Sequence, residues 1–111
     1  MSRALGNRTV KKLVDLLEGE GWLVSRVERT GRFIKEKDAF GLFDLLCINK
    51  DELLLIQSTT TKPHTHKVYV EFSMKYPVPS VKYEQWVWCK RKGWRRYVYV
   101  NGCRSNYDYR K

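Results

Sequence analysis

The 111-residue chain is short of several things, and each shortage removes a class of protein. No stretch approaches the roughly 18 consecutive apolar residues that a transmembrane helix requires, so no membrane span is expected. The opening MSRALGNRTVKK lacks the apolar centre of a secretory signal, which points to a cytoplasmic, intracellular protein. Only three cysteines occur, Cys47, Cys89 and Cys103. Their odd number and lack of CxxC spacing argue against a disulfide framework and against a zinc ribbon. Internal repeats and low-complexity linkers are missing, so residues 1–111 read as one domain with a single hydrophobic core. Acidic groups are scarce beside basic ones, 12 against 22, which leaves a net charge of +10. An excess of that size implies a polyanionic partner, nucleic acid first, or else simply a well-solvated basic surface.

The positive charge is uneven. Residues 1–12 carry four basic groups and no acid, and residues 86–111 carry eight basic groups and one acid. Arg8, Lys11 and Lys12 at one end, and Lys90, Arg91, Lys92, Arg95 and Arg96 at the other, are the expected contacts to a nucleic-acid backbone. Trp86, Trp88 and Trp94 interleave with the second group. Such a pattern can stack on bases. It also arises when tryptophans fill a core and cations face out, and core packing is expected for two of the three.

Val10, Leu13, Val14 and Leu17 recur at helical spacing, which predicts a helix over 9–20, capped by Asn7 or Thr9 and ended by Gly19 and Gly21. WLVSRV (22–27) reads as a strand and the charged 28–42 as a loop. FDLLCIN and LLLIQS read as an antiparallel hairpin around the turn NKDE. The second of these strands has no alternation, so it should be buried on both faces. Residues 67–76 fit both periods: Val68, Val70, Phe72, Met74 and Tyr76 alternate, while Val68, Phe72 and Tyr76 are four apart. EQWVWCKRK and WRRYVYVNG form a last hairpin around Lys92-Gly93, and CRSNYDYRK reads as a loose polar tail. A helical crossover gives a mixed sheet with helices on its faces; a strand gives an α+β chain of six strands.

The segment FDLLCINKDELLLIQSTTT, residues 43 to 61, carries two polar residues that a plain hairpin does not need. Asp44 opens one strand and Gln57 closes its neighbour, so folding brings them together at one end of the sheet. Asp44 offers a hard oxygen to Mg²⁺ (or Mn²⁺), Gln57 a neutral amide oxygen, and Ser58 a main-chain carbonyl. A cation held there can polarise a phosphodiester. The bare residues equally allow Asp44 as a turn cap and Gln57 as a strand end. The hydroxyl row from Ser58 to Thr61 can bind phosphate or cap a following helix. His64 and His66 share no CxxC partner, so zinc is not expected; they read as loop or helix-start residues near the phosphate path.

At these residues the chain resembles the PD-(D/E)XK nuclease superfamily, and within it the archaeal-type Holliday junction resolvases with their small viral and plasmid relatives. Gly41-Leu42-Phe43-Asp44 is similar to that family's strand-two motif, and Gln57-Ser58-Thr59 stands where its Glu-x-Lys or Gln-x-Lys falls. Gly6-Asn7-Arg8 and the Trp-rich VWCKRKGWRRYVYV also resemble family segments. The resemblance implies an α/β fold of the restriction-endonuclease-like type, in the order αβββαββ. It implies Mg²⁺-dependent cleavage of DNA, including branched DNA, by a homodimer. Three departures accompany it. The first helix of these resolvases carries a glutamate where this chain has Val10, and Asp38 is the nearest substitute. Thr59 replaces the lysine that orients the attacking water, and Lys62 is the nearest cation. Gln57 removes one negative charge from the metal site, so weaker metal binding than in a two-carboxylate site is expected. The alternatives are a catalytically inactive nuclease fold that only binds DNA, a nuclease-like subunit completed by a partner, or a small RNA-binding α+β protein.

Overall fold

In a computed structural model the described residues are 3–27, 40 and 42–110, with side chains for 8–27, 40 and 42–107. The elements run α1 (Arg3–Gly19), β1 (Leu23–Arg26), β2 (Leu45–Ile48), β3 (Leu53–Thr60), α2 (His66–Lys75), β4 (Val81–Cys89), β5 (Gly93–Val100) and β6 (Cys103–Arg110). The six strands form one mixed sheet in sequence order. Every neighbouring pair is antiparallel except β3 and β4, which are parallel and joined by the α2 crossover. No helix among the described residues is long and apolar enough to cross a membrane.

The two helices take opposite faces because β3 is apolar on both. Leu54 and Ile56 pack with Leu13 and Leu17 of α1, together with Leu45, Cys47, Trp86 and Trp94. Leu55 packs with Tyr69 of α2, together with Phe43, Tyr83, Val87, Tyr97 and Tyr99. Each fully buried leucine contributes about 1.5–3 kcal/mol relative to exposure, so both faces are strongly held. Trp86 and Trp94 are core residues, and Trp88 lies at the margin, half-buried.

Local chemistry explains the turns. After α1, Gly21 takes φ +96 while its N–H bonds the Glu18 carbonyl and the Trp22 N–H bonds that of Leu17. This left-handed closure favours glycine. Between β2 and β3, Asn49 Oδ1 accepts the N–H groups of Asp51 and Glu52, each at 2.8 Å, and fixes the hairpin register.

Two expectations, the start of the first helix and the loose tail, are corrected, and two open choices, over 67–76 and the hydroxyl row, are decided. The first helix begins at Arg3, so Asn7 and Thr9 lie inside it rather than at its N-cap position; Thr9 is buried. Residues 66–75 are helix, because a parallel β3–β4 pair needs a crossover that covers the sheet face. Ser58 to Thr60 finish β3 and do not cap α2, whose N-cap position is Thr65. The presumed loose tail is strand β6, so the order is αβββαβββ. Asn101 (φ 50) and Gly102 (φ 80) make the two-residue turn before it, and such a turn matches strand twist. The φ of 80 favours glycine at residue 102, where a side chain would also displace the flexible end of Met74, 2.8 Å away at Cε.

Candidate functional site

Asp44 sits one residue before β2, anchored by its neighbours. Phe43 is fully buried, stacked on Tyr83 and edge-on to Tyr69 and Phe72. The Tyr69 hydroxyl donates to the Leu42 carbonyl at 3.0 Å. In the β2–β3 register Leu45 lies opposite Ile56, and Asp44 stands just beyond the paired residues, beside the end of β3. The Asp44 N–H donates to the Ile56 carbonyl at 2.9 Å, and Asp44 Oδ1 accepts the Ser58 N–H at 3.1 Å. Residues 56 and 58 of β3 therefore turn their backbone polar groups toward β2, and the Ser58 carbonyl faces the side of Asp44. Gln57 is 9% exposed, and its Nε2 donates to the Ser58 carbonyl at 3.4 Å. Among the described residues, Gln57 Oε1 and Thr59 Oγ1 are buried side-chain atoms with no hydrogen-bond partner.

The Asp44 carboxylate and the Gln57 amide therefore both contact the Ser58 backbone near the C-terminal end of β3, the acid at its N–H and the amide nitrogen at its carbonyl. Lys62 is exposed in the turn that follows β3, and its N–H bonds the Thr60 carbonyl. Asp38 and Gly41 lie outside the described residues. Val10 is half-buried against the core on the α1 face, so this position of the helix supplies no carboxylate.

The basic residues gather around the same end of the sheet. β3 and β4 run parallel and finish together, with Thr60 opposite Trp88 and the Thr61 N–H bonded to the Trp88 carbonyl. Lys90, Arg91 and Lys92 form the exposed turn that follows β4. On α1, Arg8, Lys11 and Lys12 are exposed; Lys11 pairs with Asp15 at 3.5 Å, and the Lys12 ammonium stands 4.1 Å from the Trp88 ring centre. Arg95 and Arg96 are half-buried on β5. Arg96 belongs to a different arrangement. Its Nε and Nη2 donate to the fully buried Glu84 carboxylate at 2.9 and 2.8 Å, and the Trp86 indole donates to the same carboxylate at 2.8 Å. Burial alone lowers the Arg96 pKa, but the hydrogen bonds and charge of Glu84 outweigh it and hold the guanidinium above its ordinary value.

Two residues that the sequence reading passed over shape the floor of the site. Gln85 is fully buried in β4 beside Gln57. Its Oε1 accepts the His64 N–H at 2.9 Å, and its Nε2 donates to the His64 carbonyl at 3.1 Å and to the Tyr99 hydroxyl at 2.8 Å. The Tyr99 hydroxyl also bonds His66 Nδ1 at 2.7 Å, as donor or acceptor according to the imidazole tautomer. The network as a whole buries the imidazole edge against Tyr99. Burial, with the charge of Arg104 second, lowers the His66 pKa. The available signal was a Glu-Gln pair inside an otherwise apolar strand, YEQWVW.

Neither a family model nor a curated protein matches the chain. Among solved structures, it is similar to Hjc of the archaeal hyperthermophile Archaeoglobus fulgidus, a Holliday junction resolvase. The TM-score is 0.56 at 18% identity, over 81% of this chain and 74% of that one. The mixed six-stranded α/β sheet with its two helices is thus a resolvase-like nuclease fold.

Proposed function

We propose that this chain is a metal-dependent endonuclease of the PD-(D/E)XK type that cuts DNA, branched DNA in particular. The observation that carries the reading is that the Asp44 carboxylate and the Gln57 amide both meet the Ser58 backbone, with Gln57 Oε1 buried and unpartnered, at one strand end of a resolvase-like fold. The donors are all oxygens, and a buried amide oxygen without a partner fits a hard cation, Mg²⁺ or Mn²⁺. Bound by Asp44, Gln57 and Ser58, the ion supplies Lewis-acid polarisation of the scissile phosphodiester.

The chain's own groups do the rest. Thr59 offers a hydroxyl where the family pattern has a lysine, and its Oγ1 is buried without a partner. It can orient a water or a phosphate oxygen by one hydrogen bond, with no charge. Lys62 brings an ammonium from the adjoining turn. Arg8, Lys12 and the turn Lys90–Lys92 hold the backbone by charge, and Lys12 over Trp88 adds an aromatic platform. A junction cutter acts on two strands, which requires two copies of the site and therefore a homodimer.

Two observations favour a second reading, a nuclease fold that binds DNA without cutting it. Val10 supplies no carboxylate and Thr59 no charge. The RNA-binding reading predicted a strand over 68–76, where α2 stands. The test incubates labelled four-way-junction and linear DNA with the protein in Mg²⁺, Mn²⁺ or EDTA. The endonuclease reading expects metal-dependent nicks enriched on the junction. Salt-sensitive binding with intact DNA in both metals supports the non-cutting reading instead.

A further inference from the structure

The segment between β3 and α2 is held from beneath by an unusual device. Gln85 grips both backbone polar groups of His64 with its amide, at 2.9 and 3.1 Å, and is itself 0% exposed. A buried amide committed to one loop residue fixes where that residue's side chain stands. The His64 imidazole then meets Gln57, with Nε2 3.3 Å from Gln57 Nε2.

The proton positions follow from what each atom can do. The Ser58 carbonyl only accepts, so the amide atom facing it must be the NH₂ group. The same NH₂ faces His64 Nε2, which must therefore present its lone pair and carry its proton on Nδ1. Both amide hydrogens are then committed, and Oε1 is what remains to bind a ligand.

We infer that His64 is a positioning residue that locks the Gln57 amide with its oxygen free for the cation. This rests on the proposed reading that a divalent ion binds at Asp44, Gln57 and Ser58, with the Ser58 carbonyl taking the amide hydrogen on one lone pair and the ion on the other. A glutamate at residue 57 has two equivalent oxygens and needs no such lock. An amide has one oxygen and one useless face, and His64 chooses between them.

Two measurements on the full chain test this. The first is the His64 tautomer without metal, from imidazole ¹⁵N correlations. The expected form is Nδ1–H, and it should be lost in Gln57→Leu. The second is Mn²⁺ binding by calorimetry in a double-mutant cycle. His64→Ala should weaken Mn²⁺ about tenfold, the scale of a residue that orients a ligand. In a Gln57→Glu background the same substitution should have little effect. Equal weakening in both backgrounds, or none with Gln57 present, overturns the positioning role. Mn²⁺ binding by a chain whose His64 is Nε2–H overturns it alone and spares the metal site. Failure of the native chain to bind Mn²⁺ removes the metal reading, and the positioning role falls with it.

Discussion

The two faces of the sheet each bury polar side chains, but beside its closed Gln85 network the α2 face also holds open ones. On the α1 face, the Glu84 carboxylate accepts two bonds from Arg96 and one from Trp86. On the α2 face, near the end of β3, Gln57 Oε1 and Thr59 Oγ1 are buried without partners. A closed polar cluster is a structural part, costly to open. An open one calls for something to complete it, a water, an ion or a ligand. Arg96 therefore belongs to the fold, although its place in the basic sequence cluster suggested a contact to DNA.

Substitutions can break this contrast, and the largest effect is expected at Glu84. Glu84→Ala leaves a half-buried guanidinium and an indole without their acceptor, and should cost about 3–5 kcal/mol in urea unfolding. Gln85→Leu follows. It orphans the N–H and carbonyl of His64 at the sheet surface and should cost about 2–3 kcal/mol. Thr59→Val, nearly the same shape, should change stability by less than about 1 kcal/mol, of either sign, because no hydrogen bond is lost. A Thr59→Val cost as large as that of Glu84→Ala would erase the distinction between the two faces.

The same contrast has a pH signature. Burial, with the charges of Glu84 and Asp44 adding to it, pushes the Cys47 thiol from 9.0 up to about 12. Burial likewise pushes the Tyr99 hydroxyl up to about 12, against the opposing pull of Gln85 and Arg104. Both groups keep their protons longer when folded, so their contribution is whole below pH 9 and is lost progressively between about 9 and 12. His66 has the opposite sign: its lowered pKa favours the neutral folded form, so stability is lost as pH falls below the 6.5 of a free histidine. Urea midpoints across pH should form a plateau bounded by these two losses. Cys47→Ala should flatten the alkaline edge.

The smallest effects are expected on the exposed turn. Lys90→Gln and Lys92→Gln should leave stability within about 0.5 kcal/mol. Each should reduce the salt dependence of DNA binding by about one unit of slope. Arg96→Gln should act mainly on stability.

The sequence carried the elements whose signal is local. The doubly apolar β3, the β2–β3 hairpin and the tryptophan core are legible because pattern and burial agree. α2 was ambiguous because its apolar residues satisfy both periods; its buried line is Tyr69 and Ser73, while Val68 and Tyr76, two of the three four apart, lie exposed. β6 was missed because an edge strand exposed at Arg104, Ser105 and Asn106 has little apolar pattern. Its Asn101-Gly102 turn was there to be read. Asp44 and Gln57 were legible as polar interruptions that a hairpin brings together. The hold of Gln85 on His64, 21 positions away, and of Arg96 on Glu84, 12 away, is made by strand pairing and loop return, which leave no mark on periodicity.

The most direct measurement is Mg²⁺-dependent nicking of a labelled four-way junction by the native chain and by Asp44→Ala, at equal DNA occupancy. The account predicts nicks from the native chain and none from the variant, with binding retained in both. Intact junction with the native chain, or nicking undiminished in Asp44→Ala, would contradict it.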